Sequence, residues 1–542
     1  MSPPLALGLL ILLPLCGRTA EVTIIQSRPI EKLDADGHPS AVTMAQVGAH
    51  YTFLKQDGAN LVVHDNSGGQ YEIGTDATDY TPPAAPASPP ASTPATNTIA
   101  TITNAAPATN ATTTSPPAAM NAAPAPAAPP IAANLSPDDA AKIKQLNDVL
   151  GLSLLTDTEF WQDDVAQVAQ RLKWPQESQT TTQESYRRYA EAGEVSVLGA
   201  SAYSMALYGK DGKPTYISII FANAGDFPEA KKLGVEGYLA SDDAIAKATK
   251  DLAAAVKKDA DTISDQLTGL LGDPATTQFG NSASNRDEVH RWDWNDVAIL
   301  LNSHNGQYAS IKIIPTDVAD HHGVVEVTDR DNMRDLLAKR VVKRDNGDVI
   351  LSEIPMVDQG PKGYCVPATW ERYLRYMDVP ADLYVLAIMG QTGFGGGTNI
   401  GQMEAGVNDY VSAYHRRIEA YDAPLDVAHV AKYIDQGLPL MWTCWVDKPV
   451  EIQTFQHTHD RKMVTDWSKY ADKLKTDDAA LGQVDGPDET HSNGHMRLII
   501  GYNTATNEIA ISDSWGTAAA ERWMYAGTAV KISQGQLAYL SW

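Results

Sequence analysis

The sequence predicts a multidomain α+β protein, because of its length, one long segment without charge, and alternating helical and strand patterns. A chain of 542 residues exceeds what one hydrophobic core normally organises, so several domains are expected. Residues 81–135 contain no Asp, Glu, Lys or Arg and are dominated by Ala, Pro and Thr. Such a composition cannot build a core and predicts a disordered linker. The apolar content of the whole chain is 43%, which is ordinary for globular proteins.

Residues 1–20 are predicted to be a signal peptide, since 5–15 form an apolar run that is too short to span a bilayer. Cleavage after Gly17 or Ala20 would export the protein to a periplasmic, cell-envelope or extracellular location. A lipid anchor at Cys16 is disfavoured, because Leu15 is bulkier than the residue that usually precedes a lipidated cysteine. No later apolar run is long enough for a transmembrane segment.

The formal net charge of −25 argues against a nucleic-acid partner, whose phosphates would be repelled. It argues equally against electrostatic attachment to anionic lipid. Once the leader is removed, the remaining cysteines are Cys365 and Cys444, which is too few for a disulfide scaffold. A single bridge between these two cysteines stays open as an alternative, and it would abolish any catalytic role for either.

Residues 21–80 are predicted to form a small β module. Strand patterns at 22–25, 51–54, 60–63 and 70–73 are separated by turns rich in glycine. Short strands with tight turns suggest a small β-barrel, SH3-like by analogy of fold alone. The expected role of such a module is binding or anchoring, with the cell envelope as the candidate contact.

Residues 136–345 are predicted to form an α+β domain of unknown role. Ser136 and Pro137 have the pattern of a helix start, and a long helical pattern runs from Ser241 to about Leu271. Strand patterns at 297–302 and 308–314 flank Asn305-Gly306, which predicts a hairpin. This domain precedes the segment that carries the candidate catalytic residues. One hypothesis for its role is therefore that it caps the catalytic site.

Residues 346–542 carry the candidate chemistry, which begins with Cys365. A turn-rich segment leads to this cysteine, and the apolar positions Trp370, Leu374 and Met377 predict a helix directly after it. A cysteine at a helix N-terminus is favoured as thiolate by the backbone N–H groups and the helix dipole. Gln359, six positions earlier, is close enough to fold its amide back beside the sulfur.

A second stretch supplies a base and a carboxylate. His495 opens a largely apolar run that predicts a buried strand, and a turn at 503–507 leads to a second strand, 508–512. Asp513 ends that second strand. Because His495 begins one strand of the hairpin and Asp513 ends the other, their side chains are expected to meet at the same end of the sheet.

These residues resemble the papain-like cysteine peptidases, in the bacterial branch related to peptidases that process bacteriocin leaders. The resemblance is carried by the spacing of Gln359 and Cys365, by the strand after His495, and by Asp-Ser-Trp-Gly at 513–516, where the family has Asn-Ser-Trp-Gly. It implies a papain-like fold for the C-terminal domain and a peptide or protein substrate, with no cofactor or metal. The implied roles are Cys365 as nucleophile, His495 as base, Asp513 as the orienting residue and Gln359 as oxyanion donor.

Two further segments are placed by the same resemblance. The glycine-rich stretch 390–399 is either a substrate-side loop or a flexible surface loop. Residues 447–493 are a long polar insertion, a candidate lid or specificity element.

Asp513 in place of Asn is expected to stabilise the imidazolium form of His495 and to shift the pH optimum upward.

Other functions stay open at this stage. The fold could serve as a catalytically inactive binding protein at the cell surface, or as an acyltransferase on the same scaffold. A zinc site is a further possibility, because several histidines lie at short spacings, namely His457, His459, His491 and His495.

Overall fold

The computed structural model describes residues 21–24, 28–33, 39–45, 49–57, 60–65, 69–75, 78, 80, 135–228, 241–304, 306–360, 362–484, 486–487 and 493–542. The predicted signal peptide with Cys16, most of the predicted linker, and His491 lie outside the described residues. The architecture is a mixture of helices and sheets, as the sequence predicts. Within the described ranges, no helix has both the length and the apolar character needed to cross a membrane.

The N-terminal module contains a six-stranded antiparallel sheet. Its strands are β1 Glu21–Thr23, β2 Arg28–Leu33, β3 Pro39–Ala45, β4 His50–Asp57, β5 Asn60–His64 and β6 Gln70–Gly74, in the order β1-β4-β5-β6-β2-β3. Strands β2 and β3 lie where the sequence predicts none. In the described part of this module the two edge strands, β1 and β3, do not pair with each other, so closure of the sheet into the predicted barrel is not observed.

The middle region, residues 135–339, is built on an eight-stranded antiparallel sheet with order β13-β14-β15-β16-β12-β11-β8-β7. Its strands are β7 Gln176–Gln179, β8 Gln183–Tyr189, β11 Ser204–Lys210, β12 Lys213–Asn223, β13 Ala275–Phe279, β14 Asp287–Trp294, β15 Val297–His304 and β16 Tyr308–Pro315, and β9 Ser196–Val197 and β10 Ala200–Ser201 form a separate ribbon. Its helices are α1 Pro137–Leu150, α2 Val165–Leu172, α3 Asp242–Leu271, α4 Thr316–Asp320 and α5 Arg330–Lys339.

The predicted starts and ends of the middle-region helices are confirmed. Ser136 caps α1, with Pro137 as its first residue, and the Ser136 oxygen accepts the N–H of Asp139. Ser241 caps α3 in the same way, and the helix ends before Gly272. The apolar face of α3 contributes Leu252, Val256, Ile263 and Leu267 to a core shared with the sheet, which fixes this helix across the strands.

The C-terminal region, residues 341–542, packs helices against a second antiparallel sheet of order β17-β18-β21-β20-β24-β19, with β22 paired to β21 and β23 to β22. Its strands are β17 Val341–Lys343, β18 Asp348–Leu351, β19 Arg417–Asp422, β20 Leu440–Trp445, β21 Gly494–Asn503, β22 Glu508–Ser512, β23 Arg522–Tyr525 and β24 Ser533–Ser541. Its helices are α6 Cys365–Tyr376, α7 Leu383–Met389, α8 Ile400–Ala413, α9 Val427–Ile434, α10 Lys448–Asp460, α11 Trp467–Leu481 and α12 Ala526–Ile532.

Helix α6 is enclosed between the two regions, and all of its residues are buried. One side packs on β21 in a core that includes Trp370, Leu374 and Leu498. Towards the middle region, Glu371 of α6 accepts the hydroxyl of Tyr208 at 3.0 Å. The two regions therefore share a buried contact along the helix that the candidate cysteine begins.

Candidate active site

Helix α6 begins at Cys365, as the sequence predicts, with Tyr364 as the residue before it. The cysteine is free and 8% exposed. The preceding Gly363 is bridged to the glycine-rich loop, because Gly363 donates to the carbonyl of Gly395 at 2.9 Å and accepts from Gly397 at 3.0 Å. The glycine-rich loop therefore lies directly against the segment that delivers the cysteine.

His495 and Asp513 meet as the hairpin predicts. Strands β21 and β22 are antiparallel, and the His495 Nε2–H donates to Asp513 Oδ1 at 2.7 Å. The Cys365 thiol and His495 share a side-chain hydrogen bond. Since Nε2 is engaged by Asp513, Nδ1 is the ring nitrogen left for the sulfur. The structure thus brings three of the four predicted site residues into one chain of contacts.

The charges of this cluster favour a thiolate–imidazolium pair. Burial alone would raise the pKa of Cys365, but His495 and the backbone N–H groups of Met496 and Val366 hold it below its ordinary value. Burial alone would lower the pKa of His495, but its bonds to Asp513 and Cys365 raise it. The two pKa values therefore move towards each other, which favours transfer of the thiol proton to the imidazole.

Two arginines that are not among the predicted catalytic residues lie behind Asp513. Arg497 Nε lies 3.1 Å from Asp513 Oδ1, and Arg522 donates to Asp513 Oδ2. Both guanidinium groups also contact Glu451 of α10, at 2.9 and 2.7 Å. Burial would raise the pKa of Asp513, but these arginines and His495 hold it far below its usual range. Asp513 is therefore ionised, and much of its negative charge is compensated.

Trp515 covers the histidine. Its indole ring stacks on the His495 ring, with centroids 4.7 Å apart and an interplanar angle of 28°. The guanidinium groups of Arg522 and Arg497 lie 5.2 and 5.6 Å from the same indole. The indole consequently shields the hydrogen bond between His495 and Asp513 from solvent.

Gln359 lies on the loop before the cysteine, and its side-chain amide is held within that loop. Its Nε2–H donates to the carbonyl of Lys362 at 2.9 Å, and its backbone N–H donates to Ser514 at 2.9 Å. Its Oε1 is buried, and the described residues offer it no hydrogen-bond partner. The amide carries a second N–H, which remains for another acceptor.

The second cysteine, Cys444, and His457 lie outside this chain of contacts. Cys444 on β20 is free, so it does not bridge to Cys365. It is fully buried, and burial raises the pKa of its thiol to about 12. His457 bonds to Asp477 at 2.9 Å inside the insertion. Among the described residues, no group of three His, Cys, Asp or Glu side chains is arranged to hold a metal ion.

The insertion at 447–493 contains helices α10 and α11, and it supports the two arginines behind Asp513. Glu451, near the start of α10, is the acid that joins Arg497 to Arg522. Alternation along β21 places Arg497 on the same face as His495, which is a sequence signal for Arg497. No comparable local signal marks Glu451, which lies 46 residues from Arg497 in sequence, or Arg522, although Arg522 lies only nine residues after Asp513 on β23.

A cavity of about 210 Å³ includes Met496, the residue after His495, in its lining, and none of the four predicted site residues lines it. Its walls include Met441, Thr443 and Met496, and Met496 follows the histidine and donates its backbone N–H to Cys365. Glu404 and Asp422 give the cavity two carboxyl groups, and burial raises the pKa of Glu404. A larger cavity of about 360 Å³ lies between the two regions at Arg375, near the far end of α6 from the cysteine.

Comparison with known families agrees with the geometry. Residues 351–539 match the model of the Peptidase_C39 like family, which supports a papain-like cysteine peptidase domain in the C-terminal region. The match covers both strands of the hairpin and the whole of α6. No curated protein gives a significant match to the chain.

Proposed function

We propose that this chain, whose C-terminal region is a C39-like cysteine peptidase domain, is an exported cysteine hydrolase that cleaves peptide or isopeptide bonds through an acyl-enzyme. The observation that carries the proposal is the chain of contacts from Cys365 through His495 to Asp513. The apolar stretch at 5–15 supports export. The N-terminal module, SH3-like by analogy, is assigned the role of contacting the cell envelope.

In the proposed mechanism, His495 takes the thiol proton of Cys365, and the thiolate attacks the carbonyl carbon of the substrate. The new C–S bond pushes the carbonyl electrons onto oxygen, where the Gln359 amide and the Cys365 backbone N–H stabilise the oxyanion. Collapse of this intermediate breaks the C–N bond, and the imidazolium of His495 protonates the leaving amine. Water, activated by His495, then releases the acid and restores the thiol.

The cavity beside Met496 is assigned to a side chain of the substrate. Its lining includes Met496, whose backbone N–H contacts Cys365, and a substrate side chain bound there is proposed to bring the neighbouring peptide bond towards the sulfur. Glu404 and Asp422 make its lining acidic, while Met441 and Met496 supply apolar contact. We therefore expect a preference for a long basic side chain, whose stem is apolar and whose head is positive.

The proposal is tested by the rate of Cys365 alkylation with iodoacetamide between about pH 5 and 9, with both cysteines quantified by peptide mass. We expect Cys365 to react well below the ~8.5 of an ordinary thiol, and Cys444 to serve as an unreactive internal control. His495→Ala should move the Cys365 profile to higher pH. If Cys365 titrates like a free thiol in the wild-type protein, the hydrolase assignment is wrong and the inactive binding protein becomes the better account.

A further inference from the structure

The loop that carries Gln359 is held at both ends by the middle region. On one side, Tyr189 of β8 donates its hydroxyl to the carbonyl of Asp358 at 2.5 Å, and the Asp358 N–H donates to Glu177 of β7 at 3.1 Å. On the other side, Lys362 lies 3.1 Å from Asp226, which follows β12. Gln359 therefore sits between two anchored points that another region of the chain provides.

The Lys362 anchor is a buried charge pair. The Lys362 side chain is 0% exposed, and its ammonium lies over the rings of Tyr189 at 4.4 Å and Tyr384 at 5.1 Å. Asp226 supplies the opposite charge and also accepts the hydroxyl of Tyr384 at 2.8 Å. An ammonium in such surroundings is stable only while its counter-charge is in place. Asp226 thus determines where Lys362 can lie.

The position of Lys362 in turn sets the amide of Gln359. The Gln359 Nε2–H donates to the backbone carbonyl of Lys362, so a shift of that carbonyl would turn the amide. The turn that presents Asp226 is itself fixed, because Asn223 Oδ1 accepts the N–H groups of Gly225 and Asp226 at 3.0 Å each. A chain of contacts consequently leads from β12 to the group assigned to the oxyanion.

We propose that Asp226 is a positioning residue for oxyanion stabilisation, so that the middle region completes the active site of the C-terminal region. This inference rests on the proposed function. It differs from the hypothesis that 136–345 caps the site, because these contacts reach residues 358–362, ahead of the nucleophile. Displacement of the loop should weaken acyl transfer and leave the thiolate unaffected.

The test compares two reactions of Cys365 in the full chain. Acylation by p-nitrophenyl acetate, followed as a burst of nitrophenolate, passes through an oxyanion, whereas alkylation by iodoacetamide does not. We expect Asp226→Asn to slow acylation by about tenfold or more, since loss of a whole oxyanion donor costs about 10²–10³. The alkylation rate should stay within about twofold at each pH, which a general loss of structure would not produce.

A double-mutant cycle identifies the route of the effect. Gln359→Ala should slow acylation at least as much as Asp226→Asn, and adding Asp226→Asn to Gln359→Ala should have no further effect. Lys210→Met is the matched control. It removes another ion pair between the two regions, in which Lys210 Nζ lies 2.8 Å from Asp378 Oδ1, and this pair is not part of the loop that carries Gln359. Both reactions of this control should match the wild-type protein.

Tyr189→Phe provides a second, milder variant, since it removes the hydroxyl bound to Asp358 and keeps the ring over Lys362. It should reduce acylation selectively, even if Asp226→Asn lowers the yield of folded protein. The inference is overturned if neither variant changes acylation, if both reactions fall together, or if the effects of Asp226→Asn and Gln359→Ala multiply. A wild-type protein without low-pH alkylation would instead refute the proposed function, so the two failures are distinguishable.

Discussion

Arg497 lies two residues after His495 on the same strand and places its Nε 3.1 Å from the Asp513 carboxylate that His495 also contacts. Asp513 is therefore shared between the histidine and two guanidinium groups. The sequence alone suggests that an aspartate here raises the pH optimum, because its full charge would act on the imidazolium. With Arg497 and Arg522 present, we expect that upward shift to be smaller.

The two signs of this charge effect can be separated by opposite substitutions. Arg522→Gln leaves more of the Asp513 charge acting on His495, so the pKa of His495 should rise and the alkaline limb of the acylation profile should move up. Asp513→Asn removes that charge, so the alkaline limb should move down. Each shift should be about one pH unit. Bell-shaped profiles of p-nitrophenyl acetate turnover provide the measurement. A shift of the alkaline limb in the same direction in both variants would contradict the charge model.

Glu451 should matter chiefly for stability. Glu451→Gln leaves two buried guanidinium groups facing the single carboxylate of Asp513, and we expect a loss of about 3–5 kcal/mol in the free energy of unfolding. Chemical denaturation measures this loss. Lys473→Gln is the control in the same insertion, because its ion pair with Asp477 is partly exposed and should be worth about 0–1 kcal/mol. Equal effects of the two variants would show that the buried network contributes little.

Trp515 should protect the hydrogen bond that it covers. Trp515→Ala admits water to the contact between His495 and Asp513, where electrostatic interactions weaken as the local dielectric rises. We expect acylation of Cys365 to fall on the order of tenfold. Trp515→Phe keeps an aromatic ring over the imidazole and should retain most of the rate. A wild-type rate in the alanine variant would mean that the indole is dispensable for shielding.

Glu404 should govern the preference for basic side chains. A partly exposed ion pair is worth about 1 kcal/mol, so Glu404→Gln should reduce selectivity for lysine over a neutral side chain by about fivefold. Cleavage of a mixed peptide library, read by mass spectrometry, gives this ratio directly. Asp409→Asn is the control on the same helix, because Asp409 is exposed and does not line the cavity. An unchanged ratio in Glu404→Gln would remove the cavity from the recognition of charge.

The elements that the sequence predicts well are those marked by local signals. Cys365 begins a helix because a glycine-rich turn precedes it and an apolar 3–4 spacing follows it. The cap at Ser136, the start of the long helix near Ser241 and the hairpin between His495 and Asp513 are equally local, and each is confirmed. Strands β2 and β3 lack a clear alternation of apolar residues and were not predicted.

The sequence could not predict which residues from distant segments of the chain contact each other. Asp226 and Lys362 are ordinary surface residues by composition, and only the fold buries them together. Glu451 belongs to the same class, since its partner Arg522 lies 71 residues further along the chain. Pairing of this kind depends on tertiary packing and leaves no periodicity to detect.

The close contact between Gly363, two residues before the cysteine, and Gly396 of the glycine-rich loop also predicts how this protein can evolve. A methyl carbon added to Gly396, whose φ is +130°, would lie 2.2 Å from the Cα of Gly363. Hydrogen bonds already join the two backbone segments at this point, so neither segment can shift to make room without moving Cys365. In a library selected for new substrates, Gly396 should remain invariant while the walls of the cavity diversify.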